Sequence, residues 1–342
     1  MWDFISPVSL IRYLIVWRVN SIFVQLPRYL PTELSRVLGT LIAQRLPTEQ
    51  AREWRKKVET WDAATASQGK PENKKAKEQM IPALPHDDGA WPIEAVLFAY
   101  PGKRALGQGE VILWELKLLG NSADHGMFLE VILPAMEEAG STSDPRWQRP
   151  FNLWGRFDIQ AVYAARGARW EPVASGGQLN LDYRATPAQW AKGLTFASER
   201  QFQQLTWIAP FDLDKTPDTP DKPSHTSRKH IRSSEVPTFQ SILDALMERM
   251  TLFLPGKHRV AKDAWALLNP DDQTALFVAL QQEGTRLQRH SLELPPRDWP
   301  GRWIGAQIFS IIPATLLPYL ELASILQIGR QTHVGCGTFM LE

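Results

Sequence analysis

The stretch RWIGAQIFSIIPATLLPYLELASILQIGRQTHVGCGTFML, residues 302–341, decides the fold. It begins as a strand over 302–309 and turns at Pro313. It continues as a helix that places Leu316, Leu320 and Ala323 on one face. A loop with glycines at 329, 335 and 337 then leads into a last strand at 336–341. Pro313, Pro318 and Glu321 interrupt the apolar run 308–328, so it reads as strand plus helix and not as a membrane span. Glycines permit positive φ and let the chain approach another group closely, which suits a phosphate or sugar backbone. The loop lacks the Gly-Lys-Ser/Thr of a Walker loop. Its glycines also enter a strand instead of opening a helix, which argues against a dinucleotide fingerprint.

Working back from residue 302, the pattern gives a strand at 285–293, a helical insertion at 259–283 and a helix with Pro237 near its start. That helix carries Phe239, Ile242, Leu243, Leu246, Met247 and Met250 on one face, and a strand around Leu205, Trp207 and Phe211 precedes it. The order is β-α-β-β-α-β, and the first half of the chain repeats it. A long strand over 9–24 comes first, then a helix after Pro31 with Leu34, Val37, Leu38, Leu41 and Ile42 on one face. Strands at 92–99 and 109–119 follow. The next helix is capped by Asn121 or Ser122, has the stripe Phe128, Leu129, Ile132, Leu133 and Met136, and ends at Gly140. A strand at 151–163 closes the unit. The expected fold is therefore α+β, with tandem ferredoxin-like (RRM-like, split βαβ) domains over 1–170 and 171–342, each with a four-stranded antiparallel sheet. The polar stretches 64–90 and 212–235 hold too few apolar residues to offset their ordering entropy, and are expected to be mobile loops.

At 342 residues the chain is long enough for two domains, and 44% hydrophobic against 22% charged residues excludes wholesale disorder. The single cysteine, Cys336, excludes a disulfide framework and a zinc site built on several thiolates. A net charge of +1 leaves no global field, so a nucleic-acid partner has to be met by a local patch. The apolar N-terminal segment is broken by Asp3, Pro7, Arg12 and Arg18 and is followed by no cleavage pattern. A cytoplasmic protein with no membrane partner is expected.

With its preceding helix and following strand, the glycine loop resembles that of the repeat-associated (RAMP) endoribonucleases that process CRISPR precursor RNA. Further stretches resemble the family in order. SIFVQLPRYLPTELSRVLG (21–39) is similar to its first strand and helix, and GEVILWELKLLG (109–120) with PFNLWGRFDIQAV (150–162) to its central segment. WIAPF (207–211) and VPTFQSILDALMERM (236–250) are similar to the opening of its second domain, and RHS (289–291) and PGRWIG (300–305) precede the loop as in the family. The resemblance implies a metal-independent, cofactor-free endoribonuclease of antiviral defence. Such an enzyme binds CRISPR repeat RNA, often a stem-loop, cuts it once to make guide RNA, and in many cases joins other CRISPR effector-complex subunits. Cleavage of this kind uses the 2′-hydroxyl as nucleophile and leaves a 2′,3′-cyclic phosphate. It needs a base, an acid and positive charge at the phosphorane. DNA, without that hydroxyl, is not cut.

Many family members carry a catalytic histidine in or near the first helix, whereas here none precedes His86. The matching stretch offers Tyr29 as a proton shuttle, Arg36 as a charge stabiliser and Arg28 as an RNA contact, or else packing and solvated charge. His230, in the basic run SHTSRKHIR (224–232), and His290, between Arg289 and Ser291, complete the catalytic candidates. Lys229, Arg232, Arg289 and Arg330 are candidate phosphate contacts, and Gly329, His333, Gly335 and Gly337 candidate RNA-backbone contacts. Gln327 and Cys336 stand where the family more often has histidine and an aromatic residue. His86, His125 and His258 have no neighbours that suggest a metal site, and Asp87-Asp88 and Glu137-Glu138 read as surface charge. Two other functions compete: a non-catalytic RNA-binding subunit of a CRISPR ribonucleoprotein, and an unrelated two-domain nucleotide enzyme.

Overall fold

The computed structural model describes residues 3–67, 91–142, 153–192, 201–213, 235–256, 259–296 and 299–342. They form two units, Leu10–Gln189 and a second made of Met1–Ser9 with Trp190–Glu342.

The first unit is built on β1 (Leu10–Val19), a β-branched and aromatic run whose alternate residues Ile11, Tyr13, Ile15, Trp17 and Val19 are buried on one face. Antiparallel partners flank it on both sides, β5 (Val111–Leu119) and β6 (Phe157–Arg166). With β3 (Ala95–Ala99), β7 (Arg169–Ser175) and β8 (Gln178–Leu179), the sheet runs β3-β5-β1-β6-β7-β8. A separate ribbon pairs β2 (Phe23–Gln25) with β4 (Ala105–Gly107). The long strand expected over 9–24 therefore ends at Val19. Asn20 turns the chain there, its amide donating to the Arg156 carbonyl and its side chain to Asp158.

Two helical segments lie between the strands of the split βαβ order. α1 (Leu30–Arg45) has Pro31 in its first turn and buries Leu34, Val37, Leu38, Leu41 and Ile42, as the periodicity predicts. α2 (Thr48–Ser67) has no counterpart in the sequence pattern and runs into the stretch 64–90 expected to be a loop, whose first four residues are helical. Its buried Ala51 and Trp54 are the inward positions of a strongly charged helix, and Trp54 packs where Gly39 of α1 has no side chain. The second segment begins at His125–Met127, opens to π geometry over Phe128–Ile132 and ends as α3 (Leu133–Ser141). Pro134 has no amide to give the preceding turn, which favours that opening. Its cap is Asp124, not Asn121 or Ser122, the carboxylate accepting from the Met127 amide at 2.6 Å.

The core of this unit is aromatic. Trp17 stacks on Phe157 with ring centres 3.8 Å apart and meets Trp114 and Trp154 edge-on at 5.2 and 6.1 Å. At the other end of β1 the Tyr13 hydroxyl lies 2.8 Å from His125 Nδ1, both groups buried, with the Tyr183 ring edge-on to the imidazole. Burial pushes the His125 pKa down, against the opposing influence of the Tyr183 backbone and of Asp124.

The second unit repeats the topology. β9 (Phe202–Phe211) is central, and the order is β10 (Leu287–His290), β11 (Trp303–Ile312), β9, β12 (Phe339–Leu341). α4 (Phe239–Met250) starts at a reciprocal cap between Thr238 and Ser241 and buries the expected stripe. α5 (Ala261–Trp265) and α6 (Pro270–Leu280) form the insertion, and α7 (Leu317–Leu326) precedes the glycine loop. The architecture is thus α+β with tandem ferredoxin-like sheets. The boundary expected at 170/171 falls inside β7, because that strand completes a hairpin with β6 and belongs to the first sheet. Residues 68–90 and 214–234, the greater part of the two stretches expected to be loops, lie outside the described residues.

The glycine loop closes the second unit. Gln327 leaves α7 at φ 56°, and Gly329, Gly335 and Gly337 all have φ of 86–87°. The Gly337 amide donates to the Pro210 carbonyl at 2.9 Å, and its own carbonyl accepts from Ile328 at 3.0 Å. The Arg330 amide donates to the Asp212 carbonyl at 2.9 Å, and the Gln331 side chain accepts from the Gly301 amide at 2.7 Å. A Cβ at Gly337 would lie 1.9 Å from the Ile328 oxygen, and one at Gly329 2.4 Å from the Asp212 oxygen.

Two outcomes are expected. Gly337→Ala combines a backbone clash with a disfavoured φ, and should cost about 2–4 kcal/mol in chemical denaturation. Gly102→Ala, with nothing within 4 Å, should be neutral; equal midpoints for the two variants would reject the close-approach account. For His125, the unfolded chain takes up a proton first as pH falls through about 6.5, so its contribution to stability is complete above that pH and declines below it. Thermal midpoints from pH 7.5 to 5.5 should fall less steeply for His125→Gln than for the parent, and parallel curves would contradict this.

Candidate nucleic-acid interface

The residues singled out from the sequence fall in several places. In the glycine loop, the amides of Ile328, Arg330 and Gly337 are spent on carbonyls of the same unit, so the glycines serve close packing of the chain. His333 is 1% exposed and Gly335 and Gly337 are buried, which corrects their reading as surface contacts to an RNA backbone. Gly329 and Arg330 stay half-exposed at the rim, where the Arg330 guanidinium is 4.0 Å from the Asp212 carboxylate.

β10 places Arg289 and His290 on an exposed edge strand, opposite Ile308 and Gln307 of β11. Successive strand residues point to opposite faces, so the guanidinium and the imidazole flank the strand from two sides. On the same unit Arg302 pairs with Glu235 at 3.1 Å and lies over the Trp303 ring. His230, Lys229 and Arg232 lie outside the described residues, as do His86 and His258.

At the first helix, Arg28 is exposed and Tyr29 is half-buried at the N-cap position, with extended φ of −128° and no side-chain capping bond. Arg36 is buried. Its Nε donates to Glu33 at 3.1 Å and its Nη2 to the other carboxylate oxygen at 2.5 Å, and the Trp154 indole donates to the same carboxylate at 2.9 Å. A guanidinium held this way completes the shell of a buried carboxylate, so the reading of Arg36 as a stabiliser of a phosphorane is corrected to a structural one.

The sequence reading missed a second buried charge group, on the sheet face of the first unit turned away from its helices. Glu115, 3% exposed, accepts from Arg12 Nη2 at 3.1 and 3.2 Å and from the Tyr100 hydroxyl. Lys117 sits opposite Arg12 in the next row, and the Arg12 guanidinium lies 5.4 Å from the Trp170 ring centre. Burial raises the Glu115 pKa, but the Arg12 and Lys117 charges and the Tyr100 hydroxyl outweigh it and leave the carboxyl below its ordinary value. Burial and the Glu115 charge push the Tyr100 phenol up, so it stays a donor. The available signal was four charged residues, Arg12, Arg18, Glu115 and Lys117, at same-face positions of otherwise apolar strands. Among the described residues no three His, Cys, Asp or Glu side chains converge as a ligand set. Nor, among them, is any helix long and apolar enough to cross a membrane.

No protein-family model and no curated relative matches the chain. Solved structures do. A chain of a partial Cas6-RT-Cas1–Cas2 complex superposes over 98% of this chain with a TM-score of 0.52 and 11% identity, and a chain of a Cas6-RT-Cas1–Cas2 complex gives the same values. The protein spans about 46% of the first of those chains and 29% of the second. Over nearly its whole length, the chain therefore shares the fold of part of each of these two chains.

Proposed function

We propose that the protein is a metal-independent endoribonuclease that cleaves CRISPR repeat RNA to make guide RNA, with no cofactor. The observation that carries this reading is the tandem split βαβ fold closed by a glycine loop between the last helix and last strand. In the reaction the 2′-oxygen bonds to the adjacent phosphorus while the bond from phosphorus to the 5′-oxygen breaks. A base takes the 2′-hydroxyl proton and an acid protonates the departing 5′-oxygen, which leaves a 2′,3′-cyclic phosphate. The exposed imidazole of His290, with Arg289 beside it in sequence, is the acid–base candidate of the second unit, and Tyr29, whose hydroxyl is shielded from solvent, that of the first. Arg28, Arg289 and Arg330 are proposed phosphate contacts, as are Lys229 and Arg232 beside the further candidate His230. The partners are a repeat RNA, as a stem-loop, and other CRISPR effector-complex subunits.

One observation favours a second reading, a non-catalytic subunit of the same fold that holds guide RNA. No histidine occurs before His86, and the first helix commits its buried arginine to Glu33.

Incubation with the cognate repeat RNA in excess EDTA separates the two. The enzyme makes a single cut with a cyclic-phosphate end, abolished by a 2′-deoxy nucleotide at the scissile position. His290→Ala should slow that cut roughly a hundredfold or more with RNA affinity retained. An unchanged rate would remove His290 from the mechanism, and stable binding of intact RNA would favour the second reading. Arg330→Ala should weaken binding with a shallower salt dependence.

A further inference from the structure

Among the described residues of the first unit, five of the seven large apolar side chains left in water gather at one end of the sheet, the other two being Leu179 and Leu181 at and just after β8. Ile22 is 90% exposed and Phe23 49%, in and just before β2. Tyr100, 41% exposed, follows β3, and Val111 and Leu113 open β5. Register and hydrogen bonds hold these segments together. Val111 faces Arg18, Leu113 faces Val16, and the Tyr100 amide donates to the Leu113 carbonyl at 3.0 Å. Val19 exchanges bonds with Glu110 and Gly109 at 2.9 and 2.8 Å, next to the β2–β4 ribbon. Such a cluster marks a contact surface, since scattered single residues need no explanation and grouped ones do.

Charge decides what that surface contacts. Its two carboxylates are already matched, Glu110 with Lys103 at 3.0 Å and Asp158 with Arg18 at 3.6 Å. Arg104 and Arg156 donate only to main-chain carbonyls, those of Leu26 and Phe23, and among the described residues neither meets a carboxylate within 4 Å. The edge therefore carries surplus positive charge beside two aromatic rings. One ring is held in place: the Tyr100 hydroxyl is bound by Glu115, itself fixed by Arg12, and the ring stands edge-on to Phe98 at 5.1 Å. Arg156 lies beside Phe23, to whose carbonyl it donates, and Arg104 follows Tyr100 by four residues. Half-exposed aromatics on one edge with uncompensated guanidinium groups can take bases on their faces and phosphates at their flank.

We propose that this edge binds an unpaired stretch of RNA, with Tyr100 and Phe23 as stacking faces and Arg104 and Arg156 as phosphate contacts. The proposal rests on the RNA-processing reading and adds to it a single-stranded subsite. Glu115 and Arg12 are positioning residues for Tyr100.

The test measures binding of the full chain to three labelled probes: decauridine, a repeat hairpin without flanks, and the same hairpin with its single-stranded flanks. The flanks should strengthen hairpin binding. Tyr100→Ala and Phe23→Ala should each lose roughly tenfold for decauridine and for the flanked hairpin, with the bare hairpin unaffected. Tyr100→Phe, which keeps the ring but loses the tie to Glu115, should fall between, and Arg104→Ala should lower the salt slope by about one. Unchanged thermal midpoints would show that the variants fold. If both hairpins bind equally and the variants match the parent, the subsite is rejected and the RNA reading stands. If none of the probes binds, the RNA reading falls and the subsite with it. Variants that keep full RNA affinity but lose self-association would assign the edge to a second copy of the chain and overturn the proposal.

Discussion

The bond from the Gly337 amide to the Pro210 carbonyl ties the last loop of the chain to the end of β9, the central strand of its unit. β12 has only three residues, too few for its own ladder to hold it at the edge of the sheet. The loop supplies what the strand lacks, pinning 328–337 to β9 at Pro210 and Asp212 and delivering Phe339 against Trp207. A side chain at position 337 would occupy the space of the Ile328 carbonyl, so the register of the last strand depends on a missing Cβ.

A second device recurs in the first unit. Glu33 and Glu115 are both buried carboxylates, and each is satisfied by one arginine and one aromatic donor, Trp154 for the first and Tyr100 for the second. A buried charge is tolerable only when its lone pairs are filled, and an arginine fork with an indole or phenol fills several at once. Arginines that look available in the sequence are thus partly committed to the interior. The surface left for an anionic partner is smaller than the count of cations suggests.

Much of the fold was legible from side-chain period. The stripe 34, 37, 38, 41, 42 and the alternation along β1 report burial directly, and burial decides helix and strand. α2 escaped because its buried Ala51 and Trp54 sit within a charged run, and β7 because a short half-buried hairpin strand carries little period. The candidate site was less legible. Arg36 was expected to stabilise charge at the site, because sequence alone does not show that its turn faces inward onto Glu33. The glycines were recognised, but their purpose depends on Pro210 and Asp212, more than a hundred residues away in sequence. His125 was set aside for lack of neighbours in sequence, yet its partner is Tyr13, brought to it by the sheet.

β10 has a consequence for how the molecule behaves in a crowd. It lies at the open margin of its sheet, and its pairing with β11 slips by one residue between Leu287 and Arg289. A net charge of +1 gives copies of the chain almost no long-range reason to stay apart. Protection against stacking margin to margin into filaments then falls to local features. An irregular strand with an arginine and a histidine in its four residues is a poor template for another strand. At this margin, local shape and charge supply the guard that bulk repulsion would not.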